Sequence, residues 1–232
     1  MIEFLRNPYF LIALTFGVYL LAQRLQRRFG LSLMNPILLS VIVLVGFLMA
    51  SGVDYEAYYE GGKYIEFWLK PAVVALGVPL YRQLRVIRKQ LMPLLLAELA
   101  GCVAGLISVV GVAELLGASK EVVMSLAPKA VTTPIAMEIS ATLGGNVSLT
   151  AAIVVCTGIF GSIAGFNMVK LSRISSSMAG GLSIGTASHA VGTAAAIERG
   201  GSRYGAFSSL GLTLNGLFTA LLAPIILPLL GY

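Results

Sequence analysis

Apolar residues run through this chain in long blocks separated by short basic, acidic or glycine-rich intervals. The blocks cover residues 8–23 with their flanks, 35–50, 91–117, 147–169 and 204–230, and a shorter one covers about 67–81. A helix needs about 20 mostly apolar residues to cross a bilayer, and most of these blocks reach or approach that length. The pattern predicts an all-α polytopic membrane helix bundle, built as one integral membrane domain over residues 1–232. The first block runs directly into the array with no small-residue cleavage site after it, so it reads as a first span and not as a cleaved signal peptide.

Composition agrees with the blocks. Of the 232 residues 57% are hydrophobic and 11% charged, where a soluble domain carries about 25% charged residues; the mean hydropathy is +0.90. The net charge of +6 raises the question of a nucleic-acid partner, but the basic residues lie between hydrophobic blocks and form no folded basic domain. They fall into four clusters: Arg24/Arg27/Arg28, Arg82/Arg85/Arg88/Lys89, Lys170/Arg173 and Arg199/Arg203. Cytoplasmic loops collect Lys and Arg, so all four are placed inside. The acidic, aromatic stretch 54–66 is placed outside. Both termini are then expected outside, with Lys70 snorkelling near the outer end of the third span. Leu84, Ile87 and Leu91 alternate with the arginines at helical spacing, which suits either an interfacial helix or an ordinary basic loop. Cys102 and Cys156 read as small buried hydrophobes within spans; no metal, cofactor or disulfide pattern is visible.

Two segments resist this topology. Residues 121–145 are reached from outside and residues 175–200 from inside, and each either turns back on its own face or crosses as a broken helix. The charge distribution favours turning back, because that keeps Lys170 and Arg173 inside. In the first segment Pro128 and Pro134 cannot both occupy an undisturbed helix, and Gly144-Gly145 forms a second break. Lys129, Thr132 and Thr133 surround Pro134, and an ammonium, two hydroxyls and freed amides at a half-helix N-terminus suit an anion. The second segment carries Gly185-Thr186, Ser188-His189 and Gly192-Thr193, with almost nothing large between them. Its glycines serve close helix packing or a site; His189, the only histidine, makes a structural hydrogen bond or serves as a ligand or proton group. Opposed discontinuous helices meeting near the midplane characterise inverted-repeat transporters. Candidate substrate-binding residues are therefore Lys129, Thr132, Thr133, Pro134, Gly144, Gly145, Gly185, Thr186, Ser188, His189, Gly192 and Thr193.

Ionisable residues inside a membrane are costly and tend to be functional. Glu98 could pair with Lys129, carry a proton or sit near the cytoplasmic interface; Glu138 could couple a proton or ion, or serve as an exposed cap. Asn167 and Asn215 read as interhelical bonds. With no metal-ligand cluster, nucleotide loop or triad around the single histidine, an enzyme is not expected.

At the two interrupted segments the chain resembles the LrgB/CidB family. The residues that carry the resemblance are Pro128-Lys129-Ala130-Val131-Thr132-Thr133-Pro134-Ile135-Ala136-Met137 and Gly185-Thr186-Ala187-Ser188-His189-Ala190-Val191-Gly192-Thr193-Ala194. Asn35-Pro36, Pro71-Ala72-Val73-Val74-Ala75-Leu76 and Gly205-Ala206-Phe207-Ser208-Ser209 extend it over essentially the whole chain, with Ala130 standing where Ser is common. The resemblance implies a multi-pass protein of the bacterial inner membrane that acts with a small LrgA/CidA-type membrane partner. It implies two functions: a transporter of small monocarboxylates resembling glycolate, glycerate or pyruvate, or an antiholin-like regulator of murein hydrolase activity and lysis. A homo-oligomer, a dimer, is the expected assembly.

Overall fold

The apolar blocks become helices, and Asn35, Asn146 and Ser176 cap the starts of three of them through their side chains. A computed structural model describes residues 2–29, 35–68, 71, 74, 75, 77–82 and 84–232. Lys70 and much of the stretch 71–76 lie outside the described residues. Every regular element among the described residues is helical. Four of them, Pro8–Phe29, Leu91–Leu115, Val147–Leu171 and Ser177–Leu229, are long and apolar enough to cross a membrane. Their outer faces stay apolar, with Leu96, Ile107, Val112, Phe160 and Leu221 all exposed. These are features of a polytopic membrane helix bundle. The folded chain divides into two compact units, Met1–Ala75 and Leu76–Tyr232.

The first unit contains α1 (Ile2–Leu5), α2 (Pro8–Phe29), α3 (Pro36–Ser51) and α4 (Tyr55–Glu66). Asn35 starts α3: its side chain accepts from the amides of Ile37 and Leu38 at 2.9 and 3.2 Å, and Pro36 occupies the first turn, where its missing donor costs nothing. The acidic, aromatic stretch forms α4, which packs on α2. The two approach so closely that a Cβ at Gly61 would lie 2.8 Å from the Pro8 carbonyl oxygen. Thr15 and Tyr58 join hydroxyls across this contact at 3.0 Å, and Arg6 pairs with Asp54 at 2.9 Å.

The second unit contains α5 (Gly77–Arg82), α6 (Leu84–Lys89), α7 (Leu91–Leu115), α8 (Lys120–Leu126), α9 (Thr133–Leu143), α10 (Val147–Leu171) and α11 (Ser177–Leu229). The basic stretch is helical: Ile87 is buried with Leu94, Leu182, Phe207 and Leu210, while Arg82, Arg85, Arg88 and Lys89 stay exposed. Cys102 is buried, but Cys156 is exposed, because its face of α10 looks away from the bundle. The larger core joins Leu106 and Val110 of α7, Val123 of α8, Ile139 of α9, Val154 of α10 and Ala223 and Leu227 of α11.

Two stretches fold back on themselves within this unit. In the first, α8 and α9 lie side by side, joined by the turn at residues 127–132. The buried hydroxyl of Thr150 in α10 holds them there, lying 3.0 Å from the Ser125 carbonyl and 2.7 Å from the Ser140 hydroxyl. Thr132 opens α9 with extended backbone, Pro134 follows in the first turn, and Gly144 closes the helix at φ 80°. In the second, α11 is interrupted at His189 (φ 43°, ψ −141°) and Gly201 (φ 78°, ψ −173°). Residues 177–188, 190–200 and 202–229 are thus three successive arms. A Cβ at Gly192 would come within 3.3 Å of the Ile184 side chain, a contact that eight residues of straight helix would hold roughly 12 Å apart. The middle arm also folds against the third, where Thr193 and Ser208 bring their hydroxyls to 2.9 Å. The first and third arms pack backbone to backbone: a Cβ at Gly181 would lie 2.5 Å from the Tyr204 carbonyl oxygen, and one at Gly185 would collide with that of Ser208.

Candidate functional site

The two folded-back stretches are tied together by one side chain. Asn215, in the third arm of α11, donates from Nδ2 to the carbonyl of Ala130 in the α8–α9 turn at 3.3 Å. The same nitrogen donates to the carbonyl of Thr186 at 2.9 Å. Both carbonyls need an outside partner: Ala130 lies between helices, and Thr186 stands in the last turn before the His189 break, where no amide follows one turn on. The Asn215 Oδ1 accepts from Thr219 at 3.3 Å, and the Thr219 hydroxyl meets Cys102 Sγ at 3.3 Å.

Beside this tie lies a cavity of about 570 Å³, within the range of small-molecule sites. Its lining includes Glu98, Cys102, Lys129, Thr186, Asn215 and Thr219. Glu98 and Cys102 come from α7, Lys129 from the α8–α9 turn, Thr186 from the first arm of α11 and the last pair from its third arm. Close passage of α7 by α11 is possible because Gly101 stands opposite Thr186, where a Cβ would lie 3.3 Å from the threonine methyl. The Thr186 hydroxyl lies 2.8 Å from Glu98 Oε2 and 2.8 Å from the carbonyl of Leu182. Glu98 is 1% exposed, and its Oε1 has no hydrogen-bond partner among the described residues. A smaller cavity of about 290 Å³ shares Thr157, Phe160, Ser183 and Ala187 with the first and extends past Ser188 to Ser172 and Ile174.

Of the residues singled out from sequence, the larger cavity gathers Lys129, Thr186 and Glu98. Ser188 lines the smaller one. Thr132, Thr133 and Pro134 line neither; Pro134 is exposed and both threonines are half-buried at the start of α9. Gly144 shapes the end of α9, and Gly145 lets α10 begin against Ser125, whose hydroxyl accepts from the amide of Asn146 at 2.7 Å. Gly185 and Gly192 are points of close packing, against Ser208 and Ser188. His189 is buried, and its Nε2 lies 2.8 Å from the Val154 carbonyl; Thr193 donates to the His189 carbonyl at 2.9 Å. Glu138 is exposed. Cys102, Thr219 and Asn215 join the site without having been expected there. The signal for them was one-face spacing: Glu98 and Cys102 on α7, and Asn215 and Thr219 on α11, are each four apart and therefore neighbours on one helix face. Among the described residues no three His, Cys, Asp or Glu side chains come together to hold a metal ion.

The chain is similar in sequence to several known proteins. The uncharacterized protein YxaC of Bacillus subtilis is 40% identical over 216 residues, covering 93% of this chain and 94% of that protein. The holin-like protein CidB of Staphylococcus epidermidis is 34% identical over 217 residues, 94% of each chain. YwbG, a second uncharacterized protein of Bacillus subtilis, is 36% identical over 214 residues, 92% of this chain and 95% of its own. No solved structure matches the chain. The sequence pattern of the LrgB-like family matches residues 15–229, and with relatives of this similarity spanning nearly its whole length the chain belongs to the LrgB-like family.

Proposed function

We propose that this protein carries small monocarboxylates, of the size of glycolate, glycerate or pyruvate, across the bacterial inner membrane. The observation that carries the reading is the cavity beside the Asn215 tie, where an ammonium, hydroxyls and a buried carboxyl converge from four separate stretches of chain. Lys129 holds the carboxylate. Thr186, Thr219 and Asn215 supply polar contacts in an otherwise apolar lining, the make-up of a small-ligand site. Thr132, Thr133, Ser188 and His189 then act around the breaks and not on the substrate.

In this reading the two folded-back stretches enter from opposite faces, as in inverted-repeat carriers. The 12 residues of arm 177–188 rise roughly 18 Å at the helical 1.5 Å per residue, well short of the roughly 30 Å hydrocarbon core. That length suits an arm that turns back near the midplane. Irregular backbone at such depth is tolerated where protein or a cavity satisfies it, which is the part Asn215 plays. Both termini lie outside. An LrgA/CidA-type membrane protein is the partner, and two copies form the working assembly.

Reconstitution tests the proposal. Proteoliposomes holding the protein with its partner take up labelled glycolate or pyruvate saturably, and Lys129→Ala lowers that uptake at least about tenfold, as expected for loss of a charge-assisted bond. Absence of saturable uptake, or full uptake by Lys129→Ala, rejects it.

A second reading, regulation of cell-wall hydrolases with a holin-like partner, draws on one observation. Ala97, Ala179, Ser183 and Ala187 leave an exposed small-residue rim beside the cavity, which would admit a neighbouring helix closely. It predicts that bulk added to this rim, introduced as Ser183→Phe, abolishes the lysis phenotype while Lys129→Ala leaves it intact.

A further inference from the structure

The packing of the second unit gathers cations at one end of it. Ile87 anchors α6 to the third arm of α11, sharing a buried cluster with Phe207 and Leu210. Arg203 stands one turn before Phe207 on that arm, and Arg199 lies at the close of the middle arm. Tyr204 sets its ring centroid 5.4 Å from that of Phe166 and, with Ile174, joins the cluster around Val169. That contact brings in the end of α10, with Lys170 and Arg173. On α6, Arg88 and Lys89 stand three and four positions after Arg85, so the three are neighbours on the helix surface. All of these Arg and Lys side chains are exposed, and none has an ion-pair partner among the described residues. Across the stretches 84–92, 168–174 and 198–204 the one carboxylate is Glu198. This end therefore carries a positive field with little counter-charge of its own.

What supplies the counter-charge follows from the neighbours of these cations. Leu91 and Met92 come directly after the α6 group, and Met168 and Leu171 flank Lys170; all four are exposed. A soluble anion offers nothing to cover such apolar side chains, whereas a phospholipid offers a charged headgroup and acyl chains side by side. Long Arg and Lys side chains reach from an apolar level to a headgroup layer. We propose that this end of the second unit is a binding surface for anionic phospholipid, centred on Arg85, Arg88 and Lys89 of α6. The cations of α10 and α11 extend it. The phosphodiester meets the cations while the acyl chains lie on Leu91, Met92 and Leu171. The same contact steadies α6, a helix of six residues whose buried anchor is Ile87. None of these cations lines either cavity, so the inference stands apart from the transport reading.

Native mass spectrometry of the full chain in detergent, titrated with phosphatidylglycerol or phosphatidylcholine, tests the proposal. Each cation near an anionic surface contributes roughly a fivefold preference. Wild type is therefore expected to bind phosphatidylglycerol at least about tenfold more tightly than phosphatidylcholine, and raised salt is expected to erode the difference. These two measurements need no variant to fold. The triple variant Arg85→Gln/Arg88→Gln/Lys89→Gln is expected to weaken phosphatidylglycerol binding at least about tenfold and to leave phosphatidylcholine binding unchanged. Arg85→Lys/Arg88→Lys, which keeps the charge, is expected to retain the preference. Lys120→Gln, beyond the far end of α7, is expected to match wild type. Equal binding of the two lipids by wild type overturns the inference, as does undiminished phosphatidylglycerol binding by the triple variant. Displacement of the lipid by an equal concentration of glycerol 3-phosphate overturns it too, since the surface would then be holding a soluble anion.

Discussion

The amide nitrogen of Asn215 donates to the backbone carbonyl of Ala130 at 3.3 Å, joining residues 85 positions apart in the chain. Its other bond, to Thr186, makes the same side chain a link between the two turns. Replacement by leucine keeps the bulk and removes both donors. Each carbonyl left unpaired in the interior costs about 1–3 kcal/mol, so Asn215→Leu is expected to lower stability by about 2–6 kcal/mol. Thermal unfolding in detergent measures this, and Asn215→Asp, which has the shape without the donors, should fall on the same side.

The close approach of the first and third arms of α11 sets a second expectation. A Cβ at Gly185 would collide with the Ser208 backbone, whereas one at Gly111 would meet nothing within 4 Å. Backbone cannot step aside as a side-chain tip can, so Gly185→Ala should destabilise by about 1–3 kcal/mol or more. Gly111→Ala, within α7, should be neutral or stabilising by up to about 1 kcal/mol through helix propensity. Yield of monodisperse protein and melting temperature separate the two.

His189 occupies backbone space that a side chain rarely enters, at φ 43° and ψ −141°. Such positions cost about 1–3 kcal/mol and are relieved by glycine. Both His189→Ala and His189→Gly lose the ring's bond to Val154, but only the glycine variant relaxes the backbone. His189→Gly should therefore be the more stable of the two by about 1–3 kcal/mol, the reverse of the order expected within a helix. Denaturation of the two variants side by side decides it.

Thr150 provides the corresponding test in the first folded-back stretch. Its hydroxyl contacts the Ser125 carbonyl, the Ser140 hydroxyl and the Asn146 carbonyl. Thr150→Val preserves shape and strips this junction, with an expected loss of about 1–3 kcal/mol. Because the junction sets how α8 and α9 lie together, proteolysis near residues 127–132 should quicken in the variant, and limited digestion would report it.

How much of this was legible beforehand depends on the range of the interaction. Local signals read well: Pro134 and Gly144 bound α9, Asn35-Pro36 starts α3, and the apolar blocks become the long helices. The break around residues 185–193 was visible in its glycines and hydroxyls, but its placement at His189 was not, because a histidine carries no turn signal and the strain there is fixed by neighbours distant in sequence. The site was legible in part for the same reason. Lys129 and Thr186 stood beside the interruptions, and Glu98 stood out as a carboxylate in an apolar block. Asn215 read as an interhelical bond, yet that it reaches Ala130 and Thr186 at once is set by the way the arms of α11 fold, which no local pattern encodes.

The backbone-to-backbone seam between the first and third arms of α11 has a mechanical consequence. Gly181 and Gly185 leave no slack against Tyr204 and Ser208, so those two arms can shift only as one lever. Across the cavity, Gly105 of α7 has nothing within 4 Å of where a Cβ would stand. The chamber is thus walled by the paired arms as one piece and by α7 facing them, the two meeting at the Gly101–Thr186 crossing.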